Sequence, residues 1–301
     1  MRKSTTAAAA LTAVVGLAIL GAGSSSASPA LVETLHKGTL TISMTDQMPY
    51  IGYQSSSKVD GLDGDIITYI AGKLGLELSV RRSDWPGALA AAQTCRTDAV
   101  VGPVGWTKER AKTGLFTDPT YYTPTMLTEQ PDLHIDSIET MKGHTIGIPQ
   151  GYLLIPTLKQ LPGVEVKIYP QVSSIYEDIS AGRLDAAIID PLSQVYVAEK
   201  RPELKLKNVL LKDPTAAQVK TDPGLQELLP AVNNYLLCKK DTALEQQMSR
   251  VLDGMWADGE MLKLVEKWGG DASYLKAFPY MTTMRAGVDR PKNWKSPTLG
   301  D

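Results

Sequence analysis

Between Thr39 and Leu211 the chain alternates short β-type runs with helix-type segments, and no other feature of the sequence constrains its fold so tightly. TLTISMT (39–45) reads as a strand. GDIITYIAGKLG (64–75) sets Ile66, Ile67, Ile70 and Leu74 on one helical face. LELSVRR (76–82) alternates as a strand, and TDAVVG (97–102) predicts a short buried one. Between them WPGALAAAQ (85–93) predicts a short helix with Pro86 in its first turn, where a missing N–H costs nothing. A second series keeps the order without repeating the sequence: HTIGIPQG (144–151), a helix over 153–161, VEVKIY (164–169), a helix over 172–181, RLDAAIID (183–190), a helix from Pro191, and LKLKNVLL (204–211). Strands separated by helices predict an α/β fold with open sheets flanked by helices, and two such series predict two similar lobes. TALEQQMSRVLDGMWADGEMLKLVEKWGG (242–270) predicts two amphipathic helices broken at Asp258-Gly259, followed by an irregular tail that wraps a lobe.

The N-terminus reads as an export signal. A basic start, Met1-Arg2-Lys3, precedes the apolar run AAAALTAVVGLAILGAG (7–23), and SSSASPA (24–30) offers small residues for cleavage after Ala27. The run is short and rich in Ala and Gly, which favours a cleaved signal over a membrane anchor. No Cys directly follows it, which argues against lipid anchoring, and no later segment holds about 20 unbroken apolar residues. Removal of Arg2 and Lys3 leaves 29 basic against 33 acidic residues, and no basic block or basic-aromatic stripe suits nucleic acid. Cys95 and Cys238 then face an oxidising compartment, where one bridge or two buried thiols are open to them. His36, His134 and His144 lie far apart without ligand spacing, so neither a metal nor another cofactor is expected.

In open α/β sheets, ligands bind beyond the carboxyl ends of strands. Two such ends carry distinctive residues: PVGWTKER follows TDAVVG, and Asp190 follows RLDAAII. If two lobes face each other, Arg110 and Asp190 stand on opposite walls of a cleft and suit a zwitterion, with the guanidinium for a carboxylate and the carboxylate for an ammonium. An arginine in the first turn of a helix costs stability unless an anion joins it. Asp190 fits equally well as a plain N-cap before Pro191.

Several runs carry a resemblance to a known family: GLDGDIITYIAGKLGLELSV, DWPGALAAAQTCRTDAVVGPVGWTKERAKTGLFTDPTYYTP, MKGHTIGIPQG, SAGRLDAAIID and LDGMWADGEMLKLVEKWGG. Over roughly Gly38 to Gly270 the chain resembles the family 3 extracellular solute-binding proteins, the amino-acid-binding components of ABC importers. The resemblance implies a two-lobed periplasmic-binding-protein fold of type II with the ligand cleft between lobes. It also implies a mature monomer delivering a small zwitterion to ABC permease subunits from the periplasm, without catalysis, with free secretion as the alternative location. Matched position by position, Arg110 is similar to the arginine that pairs with the ligand carboxylate, and Asp190 to the carboxylate that receives the ammonium. Trp85 matches an apolar wall, Tyr50 an aromatic lid, and Asp46 a position that in some members meets a cationic side chain.

The departures from the family pattern bear on the ligand. Gly102-Pro103 and Gly105-Trp106 replace a serine-rich stretch, so Gly105 offers a backbone N–H but no hydroxyl, and Pro103 offers only a carbonyl. Leu153, in GYLL, stands where a carboxylate-binding Thr is usual. Trp106, on a loop between small residues, reads as a cleft residue; Tyr121 and Tyr122 read as packing on a crossing strand; Tyr152 fits a lining or a surface position. A larger amino acid or derivative is expected rather than Glu or Asp.

In such folds the chain crosses between lobes twice, here near 122–127 and 231–236. That implies a first lobe of residues 28–122 and 233–301 and a second of 123–232. Cys95 and Cys238 then belong to one lobe at similar depth, which implies a Cys95–Cys238 disulfide. The alternative is a secreted cyclohexadienyl (prephenate or arogenate) dehydratase on the same fold, which needs a general acid such as Asp65 or Glu109 in the cleft.

Overall fold

The computed structural model describes residues 32–277, 280–281 and 284–299. The expected export signal, residues 1–27, lies outside them. In chain order the strands are β1 (Thr39–Met44), β2 (Gly52–Ser55), β3 (Lys58–Asp60), β4 (Glu77–Arg82), β5 (Ala99–Gly105), β6 (Gly114–Phe116), β7 (Tyr121–Thr123), β8 (Met126–Glu129), β9 (Thr145–Pro149), β10 (Glu165–Tyr169), β11 (Ala186–Ile188), β12 (Lys207–Leu210) and β13 (Ala231–Cys238). The α-helices are α1 (Leu62–Leu74), α2 (Trp85–Gln93), α3 (Lys108–Thr113), α4 (Ile155–Gln160), α5 (Val172–Ser180), α6 (Pro191–Lys200), α7 (Ala216–Thr221), α8 (Thr242–Ala257) and α9 (Glu260–Lys267). None of these is long and apolar enough to cross a membrane.

The elements build a two-lobed α/β fold around two sheets with the same internal logic. The first runs β4-β1-β5-β13-β6, with β7 also paired to β13; the second runs β10-β9-β11-β8-β12. In each, a strand-helix-strand-helix-strand unit supplies three parallel strands with the first of them in the middle. An antiparallel strand, β13 or β8, lies beside the third. Each antiparallel strand belongs to chain that has just left the other sheet. The two connections run side by side, Tyr121–Thr123 antiparallel to Ala231–Asn233.

Burial follows the sheets. β1 is buried along nearly its whole length, as a central parallel strand must be when helices cover both faces. On one face Ile66, Ile67 and Ile70 of α1 pack with Leu244, Met248 and Leu252 of α8; on the other, Ala88 and Ala92 of α2 let that helix sit close to Val100, Val104 and Leu236. α1 starts at Gly61, with φ 99°, where an added Cβ would lie 2.5 Å from the Tyr50 carbonyl oxygen, and it closes on left-handed Gly75. α2 is capped by Asp84, which accepts from the Gly87 N–H. Cys95 follows α2 and Cys238 ends β13; the two form a disulfide with Cα atoms 4.8 Å apart.

Three segments depart from the pattern read in the sequence. β5 continues through Pro103 to Gly105, because the ladder to β13 is irregular there and asks no N–H of the proline. The run 183–190 pairs only over β11, since Asp185 turns to accept the Thr145 N–H and Asp190 begins α6. The hairpin β2–β3 turns at Ser56-Ser57, without the Gly or Asn that marks such turns in a sequence. The segment after α9 folds as a 3-10 turn, Ala272–Leu275, and a series of tight turns bound to the first sheet.

Candidate functional site

A cavity of about 420 Å³ opens where the carboxyl ends of the two sheets face each other. The first sheet brings Trp85 at the start of α2, Pro103, Gly105 and Trp106 at the end of β5, and Arg110 from α3. The second brings Tyr152 and Leu153 after β9, Asp190 after β11, and Glu227 from the turn before β13.

Arg110 is 9% exposed. Its backbone N–H donates to the Thr107 hydroxyl, which caps the short helix, while Nη1 donates to the Gly105 carbonyl at 2.9 Å. The guanidinium carbon lies 5.9 Å from the Trp85 ring centroid, within cation–π range. Burial lowers its pKa from 12.5 to about 10, and the negative charge of Glu227 opposes that shift. Among the described residues Arg110 has no ion-pair partner. It therefore presents unused N–H donors to the cavity from a site that excludes much of the water. A buried cation in that state gains strongly from an entering anion. The helix dipole does not single out Arg110, because α3 is six residues long and Arg110 belongs to its last turn as much as to its first.

Across the cavity Asp190 precedes α6 without capping it through its side chain. Its Oδ2 accepts instead from the Tyr152 hydroxyl and from the Gln47 amide, which reaches over from the other lobe. Both contacts fall on one oxygen, so Oδ1 keeps acceptor capacity. Burial raises the Asp190 pKa, and the two hydrogen bonds hold it down. Glu227, open to the cavity yet surrounded by protein, is also raised by burial and lowered by Arg110.

The lobes touch. The Leu192 N–H donates to the Tyr50 hydroxyl at 3.2 Å, and a Cβ on Gly151 would lie 3.1 Å from Trp85 Cδ1. A Cβ on Gly105 would stand 3.3 Å from Leu153 Cδ1, so the missing side chain at 105 makes room for the leucine opposite.

Seven of the residues singled out in the sequence thus meet at one cavity: Trp85, Pro103, Gly105, Trp106, Arg110, Leu153 and Asp190. Two do not line it. Asp46 faces away, accepting from the Tyr53 N–H and pairing with Arg82. Tyr50 is fully buried behind the cleft, stacked on Tyr121 with ring centroids 5.9 Å apart. Sequence reasoning passed over Gln47 and Glu227 as site residues. Gln47 adjoins the Asp46 position that drew attention, and Glu227 sits in DPGLQELLP, where one carboxylate between leucines just before a connecting strand is the available signal. Tyr280 and Met284, from the C-terminal segment, also reach the cavity wall, and no motif announces them. Of the acids a dehydratase would call on, Asp65 is held by Lys267 and Trp268 away from the cavity, and Glu109 is exposed at the rim, paired with Lys112.

A family model for bacterial extracellular solute-binding proteins, family 3, matches residues 40–271. The L-cystine-binding protein TcyJ of Escherichia coli (strain K12) is 27% identical over 246 residues, spanning 80% of this chain and 86% of that protein. The arginine-binding extracellular protein ArtP of Bacillus subtilis (strain 168) is 25% identical over 261 residues, spanning 85% and 94% respectively. Among solved structures, an ancestral arginine-binding protein bound to arginine superposes with a TM-score of 0.66 at 24% identity, over 78% of this chain and 99% of that one; that likeness concerns the fold.

Proposed function

The chain belongs to the bacterial extracellular solute-binding proteins of family 3, and from that premise we propose that it captures an amino acid or related zwitterion between its lobes. The observation that carries the reading is Arg110: a buried guanidinium held by one carbonyl and one indole, with its remaining donors turned into the cavity. The ligand carboxylate docks on those donors, and its ammonium meets Asp190 from the opposite lobe, so that one molecule ties the two lobes together. Trp85, Trp106 and Leu153 then line the path of the side chain. A cavity of about 420 Å³ lies at the small-molecule end of the roughly 300–1,000 Å³ range of ligand sites and suits a larger amino acid or derivative. In this reading residues 28–122 with 233–301 form one lobe and 123–232 the other, closing about β7 and β13 like a hinge. The mature chain acts in the periplasm as a monomer that presents the closed, loaded form to an ABC permease, and it performs no chemistry on its ligand. The named relatives are likewise binding proteins.

Thermal unfolding of the mature protein, from Ser28, against L-cystine, L-arginine and a panel of other amino acids tests this. A ligand at a hundredfold its Kd adds about 2.7 kcal/mol, which raises Tm by several degrees at roughly 2–4 °C per kcal/mol. The expected result is a shift with one class of zwitterion that Arg110→Ala abolishes. A shift that survives Arg110→Ala, or no shift with any zwitterion, overturns the reading.

A further inference from the structure

The family match ends at residue 271, yet the chain continues and its last segment returns to the ligand cavity. Two arginines fasten that segment to the first sheet. Arg285 is fully buried; it donates to the Phe116 and Thr117 carbonyls and pairs with Asp289. Arg290 donates to the Phe116 carbonyl and pairs with Asp118 and Glu245. Guanidiniums so fully satisfied, one buried and one mostly buried, fix a backbone in one place, since releasing either strands a charge. From this anchorage the segment reaches both connecting strands. The Tyr280 hydroxyl donates to the Pro230 carbonyl at 2.7 Å, just before β13. The Tyr122 hydroxyl of β7 donates to the Pro297 carbonyl, and Met281 packs with Tyr122 and Val232. Asp289 also accepts from the Trp106 indole N–H at 3.1 Å, orienting a ring on the cavity wall. Tyr280 and Met284 themselves, half-buried, line the cavity at its hinge end, beside Val232 and Asn233.

We propose that the C-terminal segment is a working part of the ligand site, in which Tyr280 and Met284 form an end wall that limits the length of the ligand side chain. The inference rests on the zwitterion reading and deepens it: Arg110 and Asp190 hold the charged head, and the wall that the tail of the ligand meets comes from outside the family-matched part of the chain. A flexible thioether beside an aromatic ring makes that wall apolar and adaptable, suited to an unbranched or sulfur-bearing side chain rather than a carboxylate.

The test measures Kd by calorimetry for L-alanine, L-methionine, L-arginine, L-phenylalanine and L-cystine with wild-type protein, Met284→Ala and Met284→Trp. Unliganded Tm and far-UV circular dichroism report folding for each variant. The expected result is a change of ligand preference by length. Met284→Ala lowers the Kd of the longest bound probe relative to the shortest about tenfold, and Met284→Trp raises it about tenfold. A ratio that stays within twofold in both Met284 variants overturns the inference, even if every Kd weakens uniformly, because a merely structural strap would act that way. Unfolding of one Met284 variant leaves the decision to the other, and unfolding of both shows a packing role and overturns it. If the wild-type protein binds none of the five probes, the zwitterion reading falls and this inference falls with it; binding with an unchanged ratio sinks the inference alone.

Discussion

Replacing Asp63 with Asn should make the protein more stable at pH 8 and change it little at pH 4.5. Asp63 lies in the first turn of α1, fully buried, and accepts from Tyr121 of β7 at 2.6 Å and from Tyr235 of β13 at 2.9 Å. It thus clasps both strands that join the lobes. Burial lifts its pKa from 3.8 to about 7, although both tyrosine hydrogen bonds pull the other way, and Asp190 adds a smaller upward push. A carboxyl whose folded pKa exceeds its unfolded value binds more protons when folded, so stability is lost as pH rises from about 4 to 7 and is level above that. At about 1.4 kcal/mol per unit, the full penalty is on the order of 4 kcal/mol, of which about 3 accrues between pH 4.5 and 8. Asn keeps the shape and offers the tyrosine oxygens an N–H, yet has no proton to lose. Calorimetric Tm values for both proteins across that range should therefore diverge by roughly 6–12 °C, the variant being the more stable at the alkaline end. Asp241 and Asp253, raised by burial to about 6, tilt both profiles alike and cancel in the difference. Parallel profiles would refute the reasoning, because the carboxyl would then already be neutral, or equally well solvated, in both states.

Two further outcomes follow from the geometry. Reduction of the Cys95–Cys238 bond, or Cys95→Ala with Cys238→Ala, opens a loop spanning 143 positions. Loop-closure entropy puts the loss at about 4–5 kcal/mol, visible as a lower urea midpoint with a near-normal circular dichroism spectrum; an unchanged midpoint would mean the unfolded chain is held together by other means. Gly151→Ala sets a methyl 3.1 Å from Trp85 across the cleft at a φ of +84°. It should cost about 1 kcal/mol in the unliganded protein and weaken ligand binding about tenfold, and an unaltered Kd would show that these two walls do not close on the ligand.

What the sequence made legible is what periodicity and chain order encode. Ile66, Ile67 and Ile70 gave α1 its buried face, Pro86 marked the start of α2, and the two strand-helix series gave two sheets of matching order. Arg110 and Asp190 were legible as a pair because both follow strands whose carboxyl ends face the cleft. Asp46 and Tyr50 were not, since their environment depends on a neighbour no local pattern names. Arg82 lies on β4 and draws Asp46 away, and Tyr121 lies on a connecting strand and takes the Tyr50 ring inward. Tyr280 and Met284 escaped for the same reason: they reach the cavity only because Arg285 and Arg290 find carbonyls and carboxylates more than 40 positions earlier in the chain.

Those arginines also show why Arg110 reads as a receptor. Arg285 is buried and Arg290 mostly so, and each has carboxylate and carbonyl partners spread across its guanidinium. Their donors are used up within the chain, so nothing would be gained by bringing an anion to them. Arg110 is buried to a similar degree with one carbonyl and one aromatic face, and the nearest carboxylate to influence it, Glu227, does not close an ion pair. Burying a cation so poorly matched lowers the stability of the unliganded protein, and a fold selected for stability alone would have placed a carboxylate there or an apolar side chain in its stead. The cost becomes reasonable when the missing partner arrives with the ligand. On the proposed reading, the free energy that Arg110 forfeits without ligand is recovered on binding and appears as affinity.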